Sequence, residues 1–153
     1  MNLQQCMEEE QRYRFSSFDQ NDAWELGKEL VQACSEMEGP LAVEIQLQQM
    51  VVFSYYPEGT GAHHQWWLGR KRNTVNALHR SSLRVFYELG EDQDNLQKVY
   101  QLDPADYAGC GGAFPICLKD GTQIGVAATS GLPHLRDHAA LITGIARYLE
   151  KHP

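Results

Sequence analysis

The chain has 153 residues, a length that suits one domain, residues 1–153, around a single hydrophobic core. Its 13 Lys and Arg against 20 Asp and Glu give a net charge of −7, which argues against non-specific nucleic-acid binding and against docking on anionic lipid. No apolar run approaches the roughly 20 residues of a membrane span, and Met1 to Gln11 is too polar and acid-rich for a signal peptide, so a cytoplasmic protein is expected.

Leu3 to about Arg14 reads as a helix with thin apolar content, suited to a surface or to a partner chain. Tyr13, Phe15 and Phe18 form a short extended aromatic patch. Asp22, with Glu25 three residues on, reads as the N-cap of a helix that aligns Ala23, Leu26, Leu30, Val31, Cys34 and Met37, ended by Gly39-Pro40. Leu41 to Leu47 alternates at period two, with Glu44 and Gln46 outward, so it predicts a half-buried strand. Met50 to Tyr56 follows after a very short link as the second arm of a hairpin. Trp66 to about His79 is helical with Trp67, Lys71, Thr74, Val75 and Leu78 near one face, and Leu83 to Leu89 continues as a short helix. Leu96, Val99, Tyr100 and Leu102 call for burial, and Asp103-Pro104 starts a short turn before Gly109. Phe114–Leu118 and Gln123–Thr129 flank Asp120-Gly121, a strong hairpin signal. Pro133 to Glu150 closes the chain as a helix turning Leu135, Ala139, Ile142, Ile145, Ala146 and Leu149 inward. The expected fold is α+β: an antiparallel sheet of about five strands, if the aromatic patch or another segment adds one, with helices covering one face.

The four cysteines, at 6, 34, 110 and 117, have no metal-site spacing and read as free thiols, with Cys34 and Cys117 in the core. Chemistry concentrates in four places. From Ser130 to Asp137 a strand ends, the chain turns at Gly131, and a helix starts at Pro133. Free N–H groups and the helix dipole there suit an anion, or serve only Asp137 near the first turn. Cys110-Gly111-Gly112 allows close backbone approach, and a cysteine there is a candidate nucleophile if His134 or His138 comes near; an irregular strand entry is the plainer reading. Arg70-Lys71-Arg72, with Asn76 and Arg80 in helical phase with Arg72, offers a pocket for a carboxylate or phosphate, or a wet face paired to glutamates. His63-His64 beside Trp66-Trp67 invites a metal or haem reading, or places one Trp at a subunit contact.

Several stretches resemble one family: Ser17-Phe18-Asp19 with Asp22 to Gly27, Trp67 with Arg70 to Val75, Ser81-Ser82, Gly111 to Ile116, and Ser130 to Pro133 with Asp137-His138. They are similar to uncharacterised small proteins grouped with the GlcG/HbpS-like haem-degrading domain superfamily. The resemblance implies a profilin-like antiparallel sheet with packed helices, and assembly into homodimers or larger homo-oligomers. It implies haem or another tetrapyrrole as ligand, with Lys71, Ser81, Gly111, Gly112, Ser130, Gly131 and Asp137 lining a shared cleft. Many members of this branch carry His before the Gly-Gly pair; Cys110 stands there instead, losing a proton shuttle but keeping a possible thiolate.

The leading expectation is therefore a cytoplasmic, homo-oligomeric binding protein for a small anionic ligand, with haem first and Cys110 counted among the cleft residues. The rivals are a small-metabolite enzyme using Cys110 or Asp137, and a non-catalytic assembly protein. The geometric expectation beneath the first is that the glycine pair meets the Ser130–Pro133 corner and leaves donor amides pointing into a common hollow.

Overall fold

The computed structural model describes residues 1–153. Helices α1 (Leu3–Arg12) and α2 (Gln20–Ser35) precede the hairpin β1 (Ala42–Leu47) and β2 (Met50–Tyr55). Helices α3 (Ala62–Leu78), α4 (Ser82–Glu88) and α5 (Asp94–Tyr100) lead to the hairpin β3 (Ala113–Cys117) and β4 (Gln123–Ser130), and α6 (His134–Lys151) ends the chain. The strands form one antiparallel sheet in the order β2-β1-β4-β3. The sheet has four strands, not five: the aromatic patch adds only an isolated bridge from Phe15 to Leu118, with Phe15 N–H on the Cys117 carbonyl.

The α+β class holds, but both faces of the sheet are covered. Alternation at period two sends Val43, Ile45 and Leu47 to the face under α2 and α6, into a cluster with Leu26, Leu30, Phe114, Ile116 and Leu141. The opposite parity, Ala42, Ala113, Val126 and Ala128, meets Leu68 and Val75 of α3. Glu44 and Gln46, expected in water, are therefore buried, at 5% and 8% exposure. They are tolerated because α3 brings partners. Arg72 binds Glu44 at 2.8 Å, and the Asn76 amide donates to Gln46 Oε1 at 2.8 Å.

Some boundaries move for identifiable reasons. The N-cap of α2 is Asp19, which exchanges side-chain to backbone hydrogen bonds with Asp22, so Asp22 is the third helical residue and not the cap. Helix α3 begins at Ala62, so His63 and His64 lie on its first turn; the His64 ring accepts from the Gly61 N–H. Val99 is on the outer side of α5 and 63% exposed, while Leu96 is buried. The buried face of α6 is Asp137, His138, Leu141, Gly144, Ile145 and Tyr148, whereas Leu135 and Ala139 are exposed. Ile145 is buried and Ile142 and Leu149 pack against the core as expected; the periodicity fails in the first turns, where the inward places are taken by the polar Asp137 and His138. Cys34 is buried and Cys117 is half-buried.

Candidate functional site

The glycine pair and the Ser130 corner do meet. The Thr129 N–H donates to the Gly112 carbonyl at 2.7 Å, tying the entry of β3 to the end of β4. Lys71 crosses from α3 to this junction. Its Nζ donates to Asp137 Oδ2 at 2.8 Å, the Thr129 carbonyl at 3.2 Å and Ser130 Oγ at 3.5 Å. Gly112 makes room for it: φ is +130°, and a Cβ there would sit 2.6 Å from Lys71 Nζ and 2.5 Å from the Thr129 carbonyl oxygen. Both charged side chains are almost fully enclosed, at 3% and 2% exposure.

The donor amides, however, are not free. Leu132 N–H donates to Asp137 Oδ1 at 2.8 Å, and Gly111 N–H donates to His134 Nδ1 at 2.9 Å. The anion that this corner holds is Asp137 itself. Lys71 is likewise engaged on all three of its protons. Burial raises the pKa of Asp137 above the ordinary aspartate value, and Lys71 and backbone donors only partly oppose that.

Above this floor lies a cleft of about 380 Å³ lined by His63, His64, Trp67, Cys110, Leu132 and His134 together with Lys71, Ser130, Gly131 and Asp137. A second hollow of about 330 Å³, beside Val31, Cys34, Met37 and Leu41, has no buried charge at its base. Of the expected site residues, Lys71, Cys110, Ser130, Gly131 and Asp137 line the first cleft, and Gly111 and Gly112 form the backbone behind it. Ser81 does not belong there. It caps α4, its Oγ accepting from Arg84 N–H while its own N–H donates to Glu10.

The basic run is engaged elsewhere too. Arg72 pairs with Glu44, Arg80 with Glu88 and Arg84 with Glu10. Arg70 lies over the Trp66 and Trp67 rings, 4.4 and 4.3 Å from their centroids, and donates to the Pro104 carbonyl. The terminal nitrogens of that basic run are thus engaged, while the Nε atoms of Arg70, Arg72 and Arg84 are buried without a partner.

The cleft histidines are those the sequence singles out, His63-His64 and His134, but their hydrogen-bond partners are not legible there. His63 Nε2 accepts from the Trp67 indole N–H at 3.0 Å, His64 Nδ1 from Gly61 N–H at 3.1 Å, and His134 Nδ1 from Gly111 N–H. Indole and backbone N–H groups can only donate, so each ring nitrogen facing one is unprotonated. The remaining proton sits on the other nitrogen. Burial and then Lys71 hold the His134 pKa below the ordinary histidine value, which keeps that ring neutral. Of these partners only Trp67 has a sequence signal, its i,i+4 spacing from His63 on a helix.

The family model for the haem-degrading protein HbpS-like group matches residues 18–146. The chain belongs to the HbpS-like family. Its relatives include UPF0303 proteins of Serratia proteamaculans, 40% identical over 96% of this chain and 91% of the relative, and of Yersinia pseudotuberculosis, 37% identical over 97% and 90%. Among solved structures, the Ybr137w protein has the same fold with TM-score 0.88, 24% identity and coverage of 97% and 88%. HbpS follows at TM-score 0.68, with 15% identity and coverage of 88% and 92%. A PduOC:heme complex aligns at TM-score 0.67, with 19% identity and coverage of 85% and 94%. At these identities the three structures speak for the HbpS-like fold alone.

The cleft residues do not fit haem iron. An axial imidazole needs a free lone pair, and the three rings use theirs on protein donors. Cys110 is held in the thiol form, since burial pushes its pKa up and Lys71 only partly opposes this. Nor does any group of three or more His, Cys, Asp or Glu side chains come together as a metal site.

Proposed function

We propose that this HbpS-like chain is a small-molecule-binding protein, and that an organic ligand rich in oxygen acceptors occupies the cleft above Lys71 and Asp137. The buried ion pair carries the reading. A pair enclosed to 3% and 2% exposure is a costly way to build a core, and apolar replacements of such pairs are often neutral or stabilising. Its place under a cleft, beside a perturbed carboxylate and a perturbed imidazole, supports a ligand role. The enzyme reading through Cys110 loses support, because a raised thiol pKa is the wrong direction for a nucleophile.

A tetrapyrrole is the finer form of this proposal. Its support is the family description and the related fold solved with haem. In this chain it rests on carboxylates meeting imidazole N–H groups, with no iron ligand supplied by the cleft. We also infer a cytoplasmic homo-oligomer. The four free cysteines suit a reducing compartment, and no helix is long and apolar enough to cross a membrane. Trp24, Met50, Val51 and Tyr55 expose apolar surface beside the edge strand β2, at 59, 56, 47 and 46%.

Thermal unfolding against a panel of small carboxylic acids, metal-free tetrapyrroles and hemin tests the binding reading. At least one of the first two classes is expected to raise the midpoint saturably and to slow alkylation of Cys110. If no compound does both, the cleft is not a binding site. Sedimentation over a dilution series tests the oligomer, and a monomer at every concentration would refute it.

A further inference from the structure

We infer that the cleft is built to accept hydrogen-bond acceptors only, and that its ligand class is a small aromatic or otherwise flat carboxylate. This rests on the binding reading above and adds the chemistry of the ligand. Each Asp137 oxygen already accepts one hydrogen bond, from Leu132 N–H or from Lys71, and at 2% exposure the carboxylate is closed off from a ligand. The three protons of Lys71 are occupied in turn, so the floor as a whole is neutral and offers nothing more. What remains on the side-chain lining is His63 Nδ1–H, His64 Nε2–H, His134 Nε2–H, the Ser130 hydroxyl proton and the Cys110 thiol proton.

Each of these donates, and Ser130 Oγ, the one oxygen among them that also accepts, is buried and turned to Lys71. The other tautomer is disfavoured, because flipping the proton on any of the three rings would set an N–H against the indole or backbone N–H that it now accepts from. For His134 the neighbouring Lys71 adds a further bar to a second ring proton. The neutral His134 ring held in this way polarises a carbonyl or carboxylate oxygen and rejects ammonium, amidinium and metal cations. The flat body follows from Trp67, which lines the cleft between His63 and Arg70, with Leu132 as the other apolar contact.

Benzoate, benzamide and benzamidine have almost the same shape and differ in whether they present acceptors, both, or donors only. The protein labelled with ¹⁵N-histidine should show Nε2–H tautomers for His64 and His134 and the Nδ1–H tautomer for His63, before any ligand is added. Benzoate should shift the His134 and His64 N–H signals saturably and bind at least tenfold tighter than benzamidine, with benzamide between them. His134→Phe keeps a flat ring and removes the N–H, and it should weaken benzoate about tenfold, the worth of one charge-assisted hydrogen bond. Its thermal midpoint, read in parallel, separates that loss from unfolding. An Nδ1–H tautomer at His134, or benzamidine binding as tightly as benzoate, would overturn the inference. Silence towards all three up to about 10 mM would overturn the ligand class as well. The broader panel described above would still decide whether any small molecule binds.

Discussion

Val43, Ile45 and Leu47 of β1 enter an apolar cluster of 16 buried residues under α2 and α6, while Ala42, Glu44 and Gln46 of the same strand face α3. The first face is aliphatic and aromatic. The second has an apolar cluster of 6 buried residues, three of them alanine, and is completed by Glu44, Gln46, Lys71, Thr74, Ser82 and Ser130. One face holds the fold together through area removed from water, at about 25 cal/mol per Å². The other makes little use of that source and gives its space to hydrogen-bonded polar groups, which cost stability unless every partner is present. The cleft opens beside that second face, at the end of β4, where α3 meets the start of α6, so the binding residues sit at the margin of the apolar core and not within it.

The largest expected effect comes from breaking the polar face with one partner left behind. Asp137→Ala strands Lys71 as a buried cation and orphans Leu132 N–H, and it should lower unfolding free energy by about 3–5 kcal/mol in urea titration. Leu30→Ala, on the apolar face at 0% exposure, should cost about 2–4 kcal/mol and leave ligand affinity unchanged, because the cavity forms away from the cleft. Gly112→Ala should cost about 1–3 kcal/mol through strain at positive φ and should also weaken ligand binding, since the new methyl displaces Lys71.

The two faces also differ in what was readable beforehand. Alternation in β1 and helical phase in α2 assigned the apolar face nearly residue by residue, because hydropathy reports burial when burial is dry. The Asp120-Gly121 turn was equally plain, with Gly121 at φ +93° and Asp120 accepting from Thr122 N–H. The polar face misled the same reasoning. Glu44 and Gln46 read as outward, and the first turns of α6 read as turning Leu135 and Ala139 inward in place of Asp137 and His138, because the burial of these polar groups is made tolerable by residues distant in the chain: Arg72, Asn76, Lys71 and Glu9. The meeting of the glycine pair with the Ser130 corner was legible as a possibility. That its amides are occupied by Asp137 and His134 was not, since a pattern of donors does not say which acceptor folds back onto them. Ser81 was carried into the cleft by likeness alone and proves to be a helix cap.

The smallest effect appears only in alkali. Burial raises the Cys34 thiol, on the apolar face, to about 12 and also raises Cys110, on the cleft, where Lys71 works in the opposite direction. A thiol whose folded pKa lies above its unfolded value stabilises the fold fully below the unfolded value. For Cys34 that contribution is intact below about pH 9 and is lost as pH rises towards 12. Unfolding midpoints should therefore decline across that window, and Cys34→Ala should decline less. In the native protein Cys110 should be alkylated faster than Cys34, and both more slowly than a free thiol. Equal rates would erase the difference in environment between the two faces.

The central claim is that Lys71 and Asp137, though they give the ligand no direct hydrogen bond, serve the cleft more than the fold, by fixing the Thr129–Ser130 corner and keeping His134 neutral. The double variant Lys71→Met, Asp137→Asn removes both charges together and keeps an acceptor for Leu132 N–H. Its urea unfolding curve and its benzoate titration, measured on one preparation, give the most direct test. The account predicts stability within about 1 kcal/mol of the parent and a loss of affinity of tenfold or more. A variant that loses about 3 kcal/mol or more, or one that binds benzoate as the parent does, would contradict it.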